Sequence, residues 1–183
     1  MKKLSLFVIL SLLVWGCSSS APNSGSSASG KGPAASAKSD SKSAPAFDLA
    51  SVAGLESPSL KSEDIKGKIT IVDFWATWCN PCITEIPNYN ALQEKYKGKD
   101  VRMVGVTVES GSLDDVKPYI DKLGIKYPVV MGNDEVVEGF GGLIGFPTTF
   151  VVDKEGKIYQ KYLGVRPNKK ELIDKDIQKL LSQ

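Results

Sequence analysis

Cys79 and Cys82 stand two residues apart in Trp78-Cys79-Asn80-Pro81-Cys82, directly after an apolar, β-branched run. With a helix starting at this pair, the first sulfur faces unpaired backbone N–H groups and the positive end of the helix dipole, both of which favour thiolate. Cys79 is then the natural nucleophile. Cys82, one turn further on, is placed to attack a mixed disulfide on Cys79 and release the partner, which is thiol–disulfide exchange. The chain has no histidine and only three cysteines, which removes Ser-His-Asp and Cys-His machinery and His-ligated zinc or haem. A zinc site built on the pair lacks two ligands, since the remaining cysteine, Cys17, is separated from it by 61 residues that begin with a polar stretch. Neither a resident metal nor an organic cofactor is expected. Two soft thiolates holding Cu(I) form the non-enzymatic alternative, a metal-carrying module.

A strand feeding a helix has to position these sulfurs. Residues 68–74 are short and β-branched, and 101–108 form a second run of the same kind. Residues 149–152 and 157–163 flank Asp153-Lys154-Glu155-Gly156 and read as an antiparallel hairpin. Helical patterns cover 79–95 with Pro87 inside, 112–123 with Ser112 and Asp115 spaced as a capping box, and 168–181. This alternation predicts an α/β fold, a central mixed sheet flanked by helices.

The 183 residues carry 23 Lys+Arg and 21 Asp+Glu. Without Lys2 and Lys3 the balance is neutral and no dense basic run remains, so no nucleic-acid partner is expected. After those lysines, residues 4–15 are apolar except for Ser5 and Ser11. That is short of the roughly 20 residues a bilayer core requires, and the pattern is that of a secretory signal over residues 1–16. Leu13-Val14-Trp15-Gly16-Cys17 resembles a bacterial lipobox, with Cys17 as the lipid-bearing first mature residue. Residues 18–45 hold eleven Ser, six Ala and no large apolar side chain, a composition that cannot offset its own conformational entropy. The expected layout is a signal peptide (1–16), a lipidated cysteine with a flexible tether (17–45), and a folded domain (46–183).

The segment 72–82, Val-Asp-Phe-Trp-Ala-Thr-Trp-Cys-Asn-Pro-Cys, resembles the active-site segment of thioredoxins. With Phe47-Asp48-Leu49, Gly54, Leu60, Lys66-Gly67-Lys68 and Glu85-Ile86-Pro87, the wider pattern is similar to membrane-tethered TlpA/ResA-type proteins. The resemblance implies a thioredoxin-like fold with an N-terminal extension and a central insertion. It implies a redox-active Cys79–Cys82 disulfide in a thiol-disulfide oxidoreductase working outside the cytoplasmic membrane. Its partners would be protein thiols and disulfides, such as apocytochrome c or other secreted proteins, and a membrane protein that transfers thiol electrons to it; a monomer is expected. A disulfide-donating oxidase or isomerase of the same fold is the alternative direction. A peroxide-reducing relative would hold its Thr one residue further from the cysteine than Thr77 stands from Cys79. The resemblance also assigns roles. Asp73, six residues before Cys79, becomes a buried proton acceptor for Cys82, where ResA-type chains commonly carry a neutral residue. Pro147, in Gly145-Phe146-Pro147-Thr148-Thr149, becomes a cis-proline against the cysteines, with Phe146 and Trp78 contacting substrate. Glu109 falls near a buried acidic residue of ResA-type sites and is a candidate catalytic acid.

Overall fold

The computed structural model describes residues 42–183, so the expected signal peptide, the expected lipid-bearing Cys17 and most of the expected tether lie outside the described residues. In chain order the elements are β1 (Asp48–Ala53), β2 (Ser59–Lys61), a 3-10 turn (Ser62–Ile65), β3 (Ile69–Trp75), α1 (Asn80–Lys95), β4 (Val101–Thr107) and α2 (Leu113–Leu123), followed by β5 (Val129–Met131), α3 (Asp134–Gly139), β6 (Thr148–Val152), β7 (Ile158–Leu163) and α4 (Lys169–Leu181). The strands form one sheet in the order β2-β1-β5-β4-β3-β6-β7. β3 pairs in parallel with β4 and antiparallel with β6, which makes the sheet mixed.

β3 reads Ile-Thr-Ile-Val-Asp-Phe-Trp and every residue of it is buried, as a central strand covered on both faces requires. Because side chains alternate across a strand, Ile69, Ile71 and Trp75 enter one core with residues of α1, α2 and α4. Val72 and Phe74 enter the other with Leu49, Phe140 and Phe150. The same parity puts Asp73 on the α1 and α4 face. Opposite Asp73 in the parallel ladder stands Gly105, where an added Cβ would come within 3.1 Å of both the Trp75 indole nitrogen and the Tyr127 ring. A larger residue there would push apart the packing under the strand end.

The helix starts follow their sequence signals. Cys79 is the N-cap of α1, with Pro81 in its first turn. Ser112 caps α2, its N–H donating to Asp115 Oδ2 at 2.8 Å. The ordered fold starts upstream of residue 46: Ala44 N–H donates to Gly156 O at 2.8 Å, Ile158 N–H donates to Lys42 O at 2.9 Å, and Ser43 bridges Lys157. Composition does not register these contacts because backbone alone makes them.

Candidate active site

The chain leaves β3 at Trp75, turns through Ala76 to Trp78 and enters α1 at the cysteines. Cys79 and Cys82 are joined by a disulfide with their Cα atoms 5.3 Å apart. The Cys82 N–H donates to Cys79 Sγ at 3.2 Å, so the first sulfur takes the capping place at the helix start. Cys79 is 4% exposed and Cys82 1%. The Phe146–Pro147 peptide bond is cis. Gly164 N–H donates to Pro147 O at 2.8 Å and ties the loop to the end of β7.

Trp78, 58% exposed, is held rather than loose. Its indole N–H donates to Glu109 O at 2.9 Å, and its ring meets the Phe146 ring edge-on at a centroid distance of 5.5 Å. Ile144 and Val165 are exposed on the loops that flank Pro147. Together these side chains make an apolar rim on the loops next to the start of α1, suited to a protein surface or an extended peptide. Glu109 does not take the buried place expected of it. β4 ends at Thr107, Val108 is the last inward side chain, and Glu109 adopts φ 51°, which turns its exposed carboxylate to solvent. Its contribution to the rim is the backbone carbonyl that holds Trp78.

Two acids are buried on the α1 side of the sheet, Asp73 and Glu85. On α1, Cys82, Glu85, Ile86 and Tyr89 are all buried at the i, i+3, i+4, i+7 spacing of one helix face. Lys169 Nζ donates to Glu85 Oε2 at 2.8 Å, and the two side chains are 2% and 6% exposed. Tyr89 O–H donates to the same Glu85 oxygen at 3.1 Å, Tyr89 Oη and Thr149 Oγ1 are 2.9 Å apart, and Thr149 O–H donates to Asp73 Oδ1 at 2.8 Å. Burial pushes the Asp73 carboxyl up to about 7 against the opposing influence of Lys169 and the Thr149 hydroxyl. Asp73 therefore changes protonation near neutrality, which suits a group that exchanges a proton with a thiol. Tyr89, Thr149 and Lys169 were not singled out in the sequence. The helical spacing from Cys82 could have flagged Glu85 and Tyr89, whereas a lysine in the first turn of a terminal amphipathic helix reads as solvated surface.

Residues 41–161 match the AhpC/TSA family. Thiol-disulfide oxidoreductase ResA of Bacillus thuringiensis (strain Al Hakam) is 35% identical over 123 residues, 67% of this chain and 69% of that one. A crystal structure of a putative thiol:disulfide interchange protein DsbE from Chlorobium tepidum superposes with a TM-score of 0.69 at 29% identity, covering 77% of this chain and 96% of that one. The pneumococcal exposed lipoprotein thioredoxin Etrx1 from Streptococcus pneumoniae strain TIGR4 does so with a TM-score of 0.64 at 26% identity, covering 74% and 100%. The chain shares the thioredoxin fold with these structures, carries a bonded cysteine pair at the start of α1, and belongs to the AhpC/TSA family as a ResA-type thiol-disulfide oxidoreductase.

Proposed function

We propose that this enzyme is an extracytoplasmic, lipid-anchored reductant of protein disulfides. The observation that carries the reading is the redox pair capping α1 beside an apolar rim, with a buried carboxyl poised near neutrality on the same face of the sheet. In the dithiol form the Cys79 thiolate attacks a substrate disulfide, and one substrate sulfur leaves. Asp73 accepts the Cys82 proton; the Cys82 thiolate then attacks Cys79 Sγ, closing the disulfide and releasing the second substrate sulfur. Trp78, Phe146 and Pro147 form the substrate-binding surface, the backbone before β6 pairing with an extended segment of the partner. Glu109 serves through its carbonyl, not as a catalytic acid.

Asn80 and Pro81 add no positive charge between the cysteines, leaving little beyond the helix start to stabilise the thiolate. The dithiol is then a good electron donor, with a potential below about −200 mV. Apocytochrome c and other secreted proteins are the substrate class, and an integral thiol-transferring protein recharges the pair. Cys17 carries the lipid that keeps it within reach of that donor, in line with the lipoprotein named among the structural relatives. In cells, Cys82→Ser is expected to accumulate disulfide-linked partners through Cys79, and Cys79→Ser to accumulate none. A glutathione titration giving a potential near about −120 mV would make the protein a disulfide donor instead.

A further inference from the structure

Five buried polar side chains from four elements form one connected chain under the active site: Lys169 of α4, Glu85 and Tyr89 of α1, Thr149 of β6 and Asp73 of β3. All five are buried. Its three oxygen–oxygen contacts are Glu85–Tyr89 at 3.1 Å, Tyr89–Thr149 at 2.9 Å and Thr149–Asp73 at 2.8 Å. Three hydrogen bonds need three hydrogens, and the two hydroxyls supply two. With both carboxylates ionised, Tyr89 donates to Glu85 and Thr149 to Asp73, and the contact between the hydroxyls has no hydrogen. A third proton on either carboxyl fills every contact. Lys169 decides which carboxyl takes it, because its ammonium already donates to Glu85 Oε2 at 2.8 Å, and a proton on Glu85 would weaken that charge-assisted contact. Tyr89 then donates to Glu85, Thr149 donates to Tyr89, and Asp73 donates to Thr149.

We infer that Tyr89 and Thr149 are positioning residues that transmit the charge of the Lys169–Glu85 pair to Asp73, so that the disulfide form keeps its one exchangeable proton on Asp73. The inference rests on the reading of Asp73 as the proton acceptor for Cys82. Before resolution Asp73 is a carboxylate and accepts from Thr149. It takes the proton of the Cys82 thiol as that sulfur attacks Cys79 Sγ; the Cys79–partner S–S bond breaks, and the partner leaves as a thiolate that is protonated by solvent. Asp73 is now a carboxyl that donates to Thr149, and the Thr149 hydroxyl has turned from Asp73 to Tyr89, while Tyr89 donates to Glu85 throughout. Lys169 fits this role better than a helical one: in the first turn of α4 its charge opposes the helix dipole. Among the described residues, the other ionisable group facing the cluster is Tyr127, whose ring stands 6.4 Å from that of Tyr89 and whose hydroxyl burial holds neutral.

The test is the midpoint of the Asp73 carboxyl carbon, followed by NMR in the oxidised full chain. The pH profile of partner release from a mixed disulfide is recorded alongside it. Thr149→Val removes the donor that stabilises the Asp73 carboxylate and is expected to raise both midpoints by about one pH unit; Thr149→Ala carries the same expectation should the valine variant fail to fold. Thr149→Ser keeps the hydroxyl and leaves both midpoints where they are in the wild type. Tyr89→Phe cuts the chain, frees Thr149 to donate permanently to Asp73, and is expected to lower both. Opposite signs for Thr149→Val and Tyr89→Phe are the signature, since a loss of packing would move both variants the same way. Shifts of equal sign, or none, overturn the inference and leave the role of Asp73 standing. A wild-type release profile with no step where Asp73 titrates overturns both.

Discussion

Asp73→Asn removes the ionisation that the fold resists, and its effect on stability can be worked out beforehand. The Asp73 carboxyl, ordinarily at 3.8, is held at about 7 in the fold, first by burial. Between those values the unfolded chain has released the proton and the folded chain still binds it, so stability falls as pH rises through that window and levels off above it. At about 1.4 kcal/mol per pH unit, an interval of about three units gives a loss of about 4 kcal/mol between pH 4 and pH 7. Asn cannot ionise and keeps a carbonyl oxygen to accept from Thr149. Urea unfolding of the oxidised protein is therefore expected to show wild-type stability declining by up to that amount across the window. Asp73→Asn should lack this decline and be the more stable protein at pH 8. In the dithiol form the same change slows partner release about 100-fold or more, as loss of a general base does. A wild-type and variant pair with the same pH slope would refute the placement of an ionisable, strongly desolvated Asp73, whatever the activity result.

Lys169→Met leaves Glu85 as a buried anion without its cation and is expected to cost about 3–5 kcal/mol in urea unfolding at neutral pH. The double change Glu85→Met/Lys169→Met should recover most of that loss, and a fully stable single variant would refute the ion pair. Trp78→Ala, at a side chain 58% exposed, should change stability by less than about 1 kcal/mol. It should raise KM for a protein disulfide while sparing reaction with a small disulfide, and equal losses on both substrates would count against the rim. Cys17→Ala is expected to release the protein into the soluble extracytoplasmic fraction with its redox activity intact; attachment that persists would sink the lipid anchor.

The elements around the cysteines were legible because each is long enough to show its period. β3, β4, the β6–β7 hairpin, α1, α2 and α4 lie within a residue of their expected bounds. β2 and β5 have three residues each and α3 has six, too short for alternation or a helical repeat to declare itself, and the resemblance supplied them only as an extension and an insertion. The redox pair stood out because two thiols at that spacing have few packing explanations. Asp73 was identified through its place within an unbroken motif. Glu109 was assigned from the neighbourhood of a strand end, where one residue of slack decides between core and solvent, and a left-handed φ of 51° took it to solvent. Lys169 was invisible for a different reason: its partner is 84 residues away, and no local pattern records a pairing at that range.

That separation also sets an order of events in synthesis. A chain made from its amino end acquires Cys79, Cys82 and the acid of Glu85 long before the ammonium 84 residues downstream exists. Until α4 has been made and docked, Glu85 and Asp73 under the disulfide lack the cation that the described residues place against them. A product truncated ahead of α4 would retain the whole Trp78–Cys82 motif and yet lack the charge that lets its surroundings close over it. α4, which supplies no residue that touches substrate, is in this sense a late component of the redox centre, and it ties a competent site to the synthesis of the helix that carries Lys169.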